Sequence, residues 1–295
     1  MTMVPDRRSV LTGLGALPLV GCGVSVHFEY PFDLAELETR NGGRLGLAAL
    51  DTATGRRVGW RADERFVYCS TFKMFLAAAI LVRIQDGHET LDRLIPVTAA
   101  DMINHAPVTE PAIGSSLSVD RLMQAVVEVS DNPAANLLLK AGGGLEAMRA
   151  FYRTLGDDST RVDRFEPEMN RLDGDRDTIL PARSVSNLQR LFQDPASPLT
   201  ASSQERLLGW MANAPFGSGR IKAGVPAGWR VAHKTGTGGY GPTNDIGLLY
   251  PPTGQPVIVA AYYHGTPTTS GAANDAVIAE ATRLALAALG HGMTA

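Results

Sequence analysis

Apolar residues recur with a period of two near both ends of the chain and with helical spacing in between. Alternation over residues 45–50 and 57–60, around a turn at 51–55, predicts a β-hairpin. Three more strands are predicted at residues 229–236, 245–250 and 257–263, followed by a helix at 272–289. Strands that come from both ends of a chain indicate one antiparallel sheet shared by the two termini.

The middle of the chain is predicted to be helical. Residues 74–82 are apolar or alanine at every position, so the helix predicted at 70–86 should be buried on all sides. Further helices are predicted at residues 33–39, 119–129, 133–140, 145–155 and 184–193, and at Ser202, where Glu205 completes a capping box. The stretch 157–181 is polar and irregular, and a loop of that length in a compact domain is usually functional.

These elements predict an α/β (α+β) fold, in which an antiparallel sheet is flanked by terminal helices and interrupted by an all-α domain. We assign residues 23–60 and 213–295 to the α/β domain and residues 61–212 to the all-α domain. The boundary between two such layers is a natural cleft for a ligand.

The first 22 residues have the composition of an export signal. Arg7 and Arg8 precede an apolar run at residues 10–20, which is too short to span a bilayer. The arginine pair resembles a twin-arginine signal, and residues 19–22 resemble a bacterial lipobox, in which Cys22 becomes the lipidated first residue. A plain cleaved signal with an incidental cysteine is the alternative. We therefore expect an exported protein that is periplasmic or is attached to the cell envelope as a lipoprotein.

Composition and charge narrow the possible partners. The chain of 295 residues has 44% hydrophobic residues and a formal net charge of −3, which indicates a soluble globule without a nucleic-acid-binding surface. Cys22 and Cys69 are its only cysteines, so Cys69 has no partner if Cys22 is lipidated or removed. The sequence contains neither His-Glu-x-x-His nor a Cys/His cluster at ligand spacing. We expect a monomer without metal or cofactor, in contact with a membrane only through the lipid.

Ser70 and Lys73 are the first candidates for chemistry. Their three-residue spacing places them on one helix face, one turn apart. A serine hydroxyl is a weak nucleophile until a base takes its proton, and a buried lysine, whose charged form is disfavoured, can be that base. The alternative is a helix cap with a surface lysine. Ser-x-x-Lys alone is weak evidence, because it should arise about 0.7 times by chance in this length.

Two contiguous triplets strengthen the functional interpretation of Ser70 and Lys73. Ser130-Asp131-Asn132 lies at a predicted turn between helices, and Lys234-Thr235-Gly236 ends a predicted strand. Taken singly, the first could be an ordinary turn and the second an edge strand protected by a lysine. Each triplet should arise only about 0.04 times by chance, so coincidence explains all three motifs in this order poorly.

With these motifs the sequence resembles the class A serine β-lactamases over essentially the whole chain after the signal. Residues 164–170, Arg-Phe-Glu-Pro-Glu-Met-Asn, match the omega loop of that family, in which Glu166 and Asn170 hold the hydrolytic water and the Glu166–Pro167 bond is cis. A solvated acidic turn is the alternative interpretation. The resemblance implies the β-lactamase/transpeptidase-like fold and a small-molecule β-lactam as the substrate, which is hydrolysed to the ring-opened acid.

The resemblance also implies a role for each candidate residue. Ser70 attacks the lactam carbonyl, and Lys73, or Glu166 through water, takes its proton. Ser130 relays a proton to the departing nitrogen, and Glu166 activates the water that releases the acid. The backbone N–H groups of Ser70 and Thr237 form the oxyanion hole. The residues that bind the substrate or the water are Asn132, Asn170, Arg220, Lys234, Thr235, Gly236 and Thr237.

Several positions depart from the pattern of the family. Thr243 stands where many relatives carry an arginine, and Arg220 resembles the arginine with which other members reach the same carboxylate pocket. An ordinary solvated arginine is the alternative. Arg164 and Asp177 resemble the ion pair that closes the omega loop, across a slightly shorter segment. His105 stands where many relatives have an aromatic residue at the cleft mouth, and it is either a gatekeeper or an exposed histidine.

Two other functions share parts of this pattern. A penicillin-binding DD-peptidase has Ser-x-x-Lys and the same fold but deacylates slowly, and Glu166 with Asn170 argues against it. A non-hydrolysing penicillin sensor could keep the fold without turnover. The complete motif set argues against a sensor, as does the lack of a transmembrane segment after residue 22.

Overall fold

The computed structural model of the protein describes residues 32–239, 241–266, 268 and 270–292. The helices in this part of the chain are α1 (Ala35–Asn41), α2 (Phe72–Gln85), α3 (Val119–Glu128), α4 (Asn132–Ala141), α5 (Gly144–Thr154), α6 (Pro181–Phe192), α7 (Ala201–Ala212), α8 (Ile221–Gly224) and α9 (Gly271–Ala288). The strands are β1 (Arg44–Asp51), β2 (Arg57–Trp60), β3 (Phe66–Val67), β4 (Leu94–Pro96), β5 (Ser116–Ser118), β6 (Thr178–Ile179), β7 (Arg230–Thr237), β8 (Pro242–Tyr250) and β9 (Val257–His264). The predicted export signal and Cys22 lie outside the described residues.

A five-stranded antiparallel sheet joins the two ends of the chain. Its strand order is β2-β1-β9-β8-β7, so the first hairpin pairs with the last three strands. Along β9, Val257 and Val259 belong to the core on one face, whereas Ile258 and Ala260 belong to the core on the other. A strand covered on both faces can be apolar at every position. The predicted fold class, with one antiparallel sheet and terminal helices, is confirmed.

The two faces of the sheet carry different helices. The core on one face includes Leu37 of α1 and Val277 of α9. The core on the other face contains apolar residues of α2, α3, α4 and α6. Within α2 the residues from Phe72 to Ala78 are all buried, as the continuous apolar run predicts. The limits of the all-α domain at residues 61 and 212 stay a prediction. Within the described residues, each helix is either too short or too polar to cross a membrane.

Some predicted boundaries were wrong. Helix α7 begins at Ala201 and is capped by Thr200, whose hydroxyl accepts the Ser203 N–H at 3.4 Å, so the predicted capping box at Ser202 and Glu205 does not form. Strand β8 begins at Pro242, earlier than expected. The polar residues Thr243 and Asn244 are buried in the sheet, so the apolar pattern does not reveal this part of the strand. The strand pairs β3–β6 and β4–β5 were not predicted, since runs of two or three residues are too short to show a period.

Asp131 ties the start of α4 to the preceding loop. Its buried carboxylate accepts the backbone N–H groups of Val108, Thr109 and Ala134, each at 2.9 Å. It also accepts the Thr109 hydroxyl at 2.8 Å. The middle residue of the Ser130-Asp131-Asn132 triplet therefore holds the loop and the helix in place, and this fixes the position of its two neighbours.

We expect Asp131→Ala to lower the free energy of unfolding by about 2–4 kcal/mol, because several buried N–H donors lose their acceptor. Urea unfolding followed by circular dichroism measures this loss. Asp120→Ala is the control, since Asp120 forms a half-exposed ion pair with Arg206, and removing such a pair should cost no more than about 1 kcal/mol. Equal losses in the two variants would contradict the anchoring role of Asp131.

Candidate active site

A cleft of about 550 Å³ lies between the edge strand β7 and the helical part of the chain. Among the residues that line it are eight predicted site residues: Ser70, Ser130, Asn132, Asn170, Arg220, Thr235, Gly236 and Thr237. The other three, Lys73, Glu166 and Lys234, are buried and contact residues of the cleft wall. The structure thus brings together all the residues that the sequence predicts for the site.

Ser70 lies in a 3₁₀ turn, Cys69–Thr71, that precedes α2. Cys69 has a φ of +48°, a left-handed conformation that is costly for a residue with a side chain. Gly236 allows β7 to approach this turn closely, because a Cβ at that position would lie 3.1 Å from the Ser70 nitrogen. The end of β7 therefore packs directly against the backbone of Ser70. Burial raises the pKa of the Cys69 thiol, which makes this neighbour of Ser70 a weak nucleophile.

Lys73 is surrounded by oxygen atoms. Its Nζ atom lies 2.7 Å from the Ser130 carbonyl oxygen, 3.4 Å from Ser130 Oγ and 3.0 Å from Glu166 Oε1, and it also donates to Asn132 Oδ1. Burial lowers the pKa of Lys73, although the Glu166 carboxylate acts in the opposite direction. A larger fraction of Lys73 is therefore in the neutral form, which can take a proton, than for a lysine on the surface.

Glu166 is held by contacts to its backbone and to its carboxylate. Its N–H donates to Asn136 Oδ1 at 3.0 Å, and Asn136 Nδ2 donates to the Glu166 carbonyl oxygen at 2.8 Å. Asn170 Nδ2 donates to Glu166 Oε2. The Glu166–Pro167 peptide bond is cis, as the resemblance implies. Asn136 was not predicted from the sequence, but it follows Asn132 by four residues on α4, a spacing that places both on one helix face.

An ion pair closes the loop that carries Glu166. Arg164 Nε lies 2.6 Å from Asp177 Oδ2, which confirms the predicted pair. Asp177 is buried, and its Oδ1 atom also accepts the backbone N–H groups of Asp163 at 2.8 Å and Arg164 at 3.0 Å. The two ends of the loop are thereby joined to each other.

Ser130 lies between two buried lysines. Its Oγ is 3.4 Å from Lys73 Nζ and 3.2 Å from Lys234 Nζ, and Lys234 also donates to the Thr235 carbonyl oxygen at 3.0 Å. Burial, followed by repulsion from Lys73, lowers the pKa of Lys234 well below its usual range. An anionic group entering the cleft would raise the Lys234 pKa again, because a nearby negative charge favours the protonated amine.

Arg220 is buried, so it is not the solvated arginine of the alternative interpretation. Its Nη1 donates to the carbonyl oxygens of Gly236 at 3.0 Å and Asn244 at 2.9 Å. Its Nη2 donates to Thr237 Oγ1 at 2.8 Å, and its Nε lies 2.7 Å from Asp275 Oδ1 on α9. Asp275 was not predicted, because nothing in the local sequence links it to residue 220.

Two rings lie edge to face at the mouth of the cleft. His105 and Phe216 have ring centroids 6.2 Å apart, and both line the cleft. The His105 Nε2 atom lies 2.8 Å from the Val129 carbonyl oxygen, which holds the imidazole in place. Whether His105 is a gatekeeper stays a prediction.

No group of three or more His, Cys, Asp or Glu side chains in residues 32–239, 241–266, 268 and 270–292 is placed to hold a metal ion.

Comparison with known proteins found similarity along almost the whole described chain. The model of the beta-lactamase enzyme family matches residues 33–289. The carbapenem-hydrolyzing beta-lactamase KPC of Klebsiella oxytoca is 41% identical over 290 residues, which cover 96% of this chain and 97% of that protein. Beta-lactamase L2 of Stenotrophomonas maltophilia is 43% identical over 233 residues, 78% of this chain and 76% of that protein. The solved structure of an ancestral (GNCA) class A beta-lactamase is 48% identical with a TM-score of 0.83, covering 86% of this chain and 98% of its own.

Proposed function

The chain belongs to the class A β-lactamase family and hydrolyses β-lactam antibiotics, and we propose that the reaction passes through an acyl-enzyme on Ser70. The observation that carries this assignment is the position of Lys73. It lies one helical turn after Ser70, and its Nζ atom is 3.0 Å from Glu166 Oε1 and 3.4 Å from Ser130 Oγ. A base and a proton relay thus contact one buried amine, which follows the nucleophile by one helical turn.

Acylation begins when Ser70 Oγ attacks the lactam carbonyl, and Lys73, or Glu166 through a water molecule, takes the hydroxyl proton. The carbonyl oxygen gains negative charge, which the N–H groups of Ser70 and Thr237 stabilise. The C–N bond then breaks, and Ser130 Oγ passes a proton to the ring nitrogen. The contacts of Ser130 with Lys73 and Lys234 support this relay.

Deacylation needs a water molecule held over the ester carbonyl. Glu166 takes a proton from that water, and the resulting hydroxide attacks the carbonyl. The bond from the carbonyl carbon to Ser70 Oγ then breaks, and the proton held by Glu166 returns to Ser70 Oγ, directly or through Lys73. Asn170 donates to the Glu166 carboxylate from the same loop, so it can steady both the base and the water. The paired amide contacts of Asn136 hold the Glu166 backbone where the base is needed.

Substrate binding divides between the two sides of the cleft. On the helical side, Asn132 is fixed by Lys73 and by a 2.9 Å bond to the Asn104 carbonyl oxygen, and we assign it to the substrate's side-chain amide. On the strand side, cationic and hydroxyl groups converge, and a carboxylate is the anion that such groups bind well. We assign the substrate carboxylate to Lys234, Thr235, Thr237 and Arg220, while Gly236 lets this part of β7 lie against the Ser70 turn.

We also propose that the enzyme is an exported monomer. The signal-like segment at residues 1–22 supports export to the periplasm or the cell envelope, by the twin-arginine route that Arg7 and Arg8 suggest. The tetrapeptide that ends at Cys22 supports a lipid anchor there.

Glu166→Ala should still be acylated by benzylpenicillin but should not release the product. Removing a positioned general base typically slows the step it serves by about 10²–10⁴-fold. Intact-mass spectrometry should show the variant heavier by one penicillin, and this adduct should persist after excess drug is removed. Ser70→Ala is the control and should form no adduct and hydrolyse no nitrocefin.

Two results would overturn this mechanism. If Glu166→Ala turned over at the wild-type rate, the deacylation base would not be in the omega loop. Accumulation of the adduct on the wild-type protein would favour a penicillin-binding DD-peptidase or a penicillin sensor.

Arg220→Ala should lower kcat/KM for penicillins by about 10–150-fold, which corresponds to the loss of about 1.5–3 kcal/mol from one charge-assisted contact. Steady-state kinetics measures the change. Arg206→Ala, which alters a surface arginine that pairs with Asp120, should leave kcat/KM unchanged. An unchanged kcat/KM for Arg220→Ala would refute the assignment of Arg220 to the carboxylate pocket.

The mature protein should begin at a lipidated Cys22 and partition with membranes. Mass spectrometry of its N-terminal peptide identifies the first residue and its modification, with Cys22→Ala as the control that should not be lipidated. An unmodified start downstream of Cys22 would show a plain cleaved signal instead.

A further inference from the structure

A buried pair of titratable side chains lies next to the cleft and has no part in the mechanism above. His233 on β7 and Asp245 on β8 are both fully buried, and the His233 Nδ1 atom lies 2.9 Å from each Asp245 carboxylate oxygen. His233 precedes Lys234, so strand alternation turns its side chain to the face opposite that of the lysine. The pair therefore lies outside the reacting groups, behind the strand that carries them.

The hydrogen bonds of the pair indicate which atoms matter. A carboxylate only accepts hydrogen bonds, so the contact with Asp245 requires the proton on His233 Nδ1. Asp245 Oδ2 also accepts the Ile221 N–H at 3.2 Å, which links the pair to the start of α8. His233 Nε2 has no hydrogen-bond partner in the part of the chain that the structure describes. A buried polar pair with one unpartnered atom is a weak source of stability, which favours a positional role.

The pair supports both ends of the turn at residues 217–221. At the first end, a Cβ on Gly217 would lie 2.4 Å from Thr235 Cγ2 and 3.1 Å from His233 Cε1, so this glycine packs directly on the imidazole and its strand. At the second end, Asp245 holds the Ile221 N–H. Arg220 stands between them, and its own N–H donates to the Gly217 carbonyl oxygen at 3.0 Å.

We propose that His233 and Asp245 are positioning residues that hold the 217–221 turn, so that Arg220 presents its guanidinium to the substrate carboxylate. This inference rests on the role proposed above for Arg220. The imidazole orients the Asp245 carboxylate, the carboxylate fixes the amide after Arg220, and the side chain of Arg220 then reaches β7 and β8. If the turn shifted, the guanidinium would move with it, and a small misplacement of a binding group is costly in rate.

The charge of Asp245 acts on the same pocket. Other charged groups near the pair are Arg220, Asp275 of α9, which is bound to Arg220, and Lys234 on the opposite face of β7. The Asp245 carboxylate opposes the lowering of the Lys234 pKa by burial. Asp245 therefore favours the protonated form of Lys234, which is also assigned to the substrate carboxylate.

The test compares benzylpenicillin with its methyl ester, which lacks the anionic group. The measured quantity is the ratio of kcat/KM for the acid to kcat/KM for the ester. His233→Leu, which removes the donor to Asp245, should lower this ratio about tenfold, mainly through a higher KM for the acid. His233→Asn, whose amide nitrogen can replace Nδ1, should recover the ratio to within about threefold of the wild type.

Two further variants separate positioning from a general loss of structure. His233→Gln keeps a polar side chain but carries its amide one bond farther out, so the ratio should fall as in His233→Leu. If His233→Leu does not fold, the difference in this ratio between His233→Gln and His233→Asn tests the positioning role instead. His264→Leu is the control, because His264 is a partly buried histidine at the end of β9 that packs on Phe66. It should leave the ratio unchanged.

Each contrary outcome has a distinct meaning. If Arg220→Ala lowers the ratio and the His233 variants do not, the positioning role is wrong while the proposed role of Arg220 stands. Equal losses for the acid and the ester in His233→Leu and His233→Asn would show a merely structural residue. If Arg220→Ala also leaves the ratio unchanged, the carboxylate assignment fails, and the positioning role fails with it.

Discussion

The buried amine of Lys73 is the constraint on which the rest of the site depends. An amine removed from water must have oxygen partners, since a buried polar group without them is costly. Here the partners come from the turn before α4, from α4 itself and from the loop that carries Glu166. These three segments are therefore fixed relative to α2, which carries Lys73. A shift of any of them would leave buried polar atoms unpaired, so the geometry needed for proton transfer is also the geometry that satisfies Lys73.

The groups around Lys73 are in turn held by residues that do not line the cleft. Asp131 fixes the turn of Ser130 by accepting backbone N–H groups from the preceding loop and from α4. Asn136 clamps the Glu166 backbone, and Asp177 joins the ends of its loop. Each of these supports is a buried or half-buried polar side chain that makes more than one hydrogen bond. The catalytic groups can be placed accurately because no single weak contact determines where they lie.

Much of this arrangement could be predicted from the sequence, because its signals are local. The spacing of Ser70 and Lys73, the two triplets and the alternation of the strands each lie within a few residues, and local spacing predicts which side chains share a face. Asn136 could have been found by the same rule. The contact of His233 with Asp245 and that of Arg220 with Asp275 could not, because they depend on strand register and on the packing of α9 against the sheet. Those are set by burial on both faces of the sheet, which the sequence of one element does not reveal.

The carboxylate side of the cleft shows why such distant contacts matter. Thr243 stands on β8 where many relatives carry an arginine, but its hydroxyl is bound to Gly241 and Asn274 and does not line the cleft. The buried arginine beside Thr237 comes instead from a turn, and a turn is less rigid than a strand unless both of its ends are held. An arginine on a turn therefore needs support on several sides. Gly217 packs on the His233 imidazole, Asp245 accepts the N–H of the residue after Arg220, and Asp275 of α9 pairs with the guanidinium. Under the role proposed for Arg220, recognition of the substrate's charge depends on side chains that lie on the face of β7 opposite Lys234.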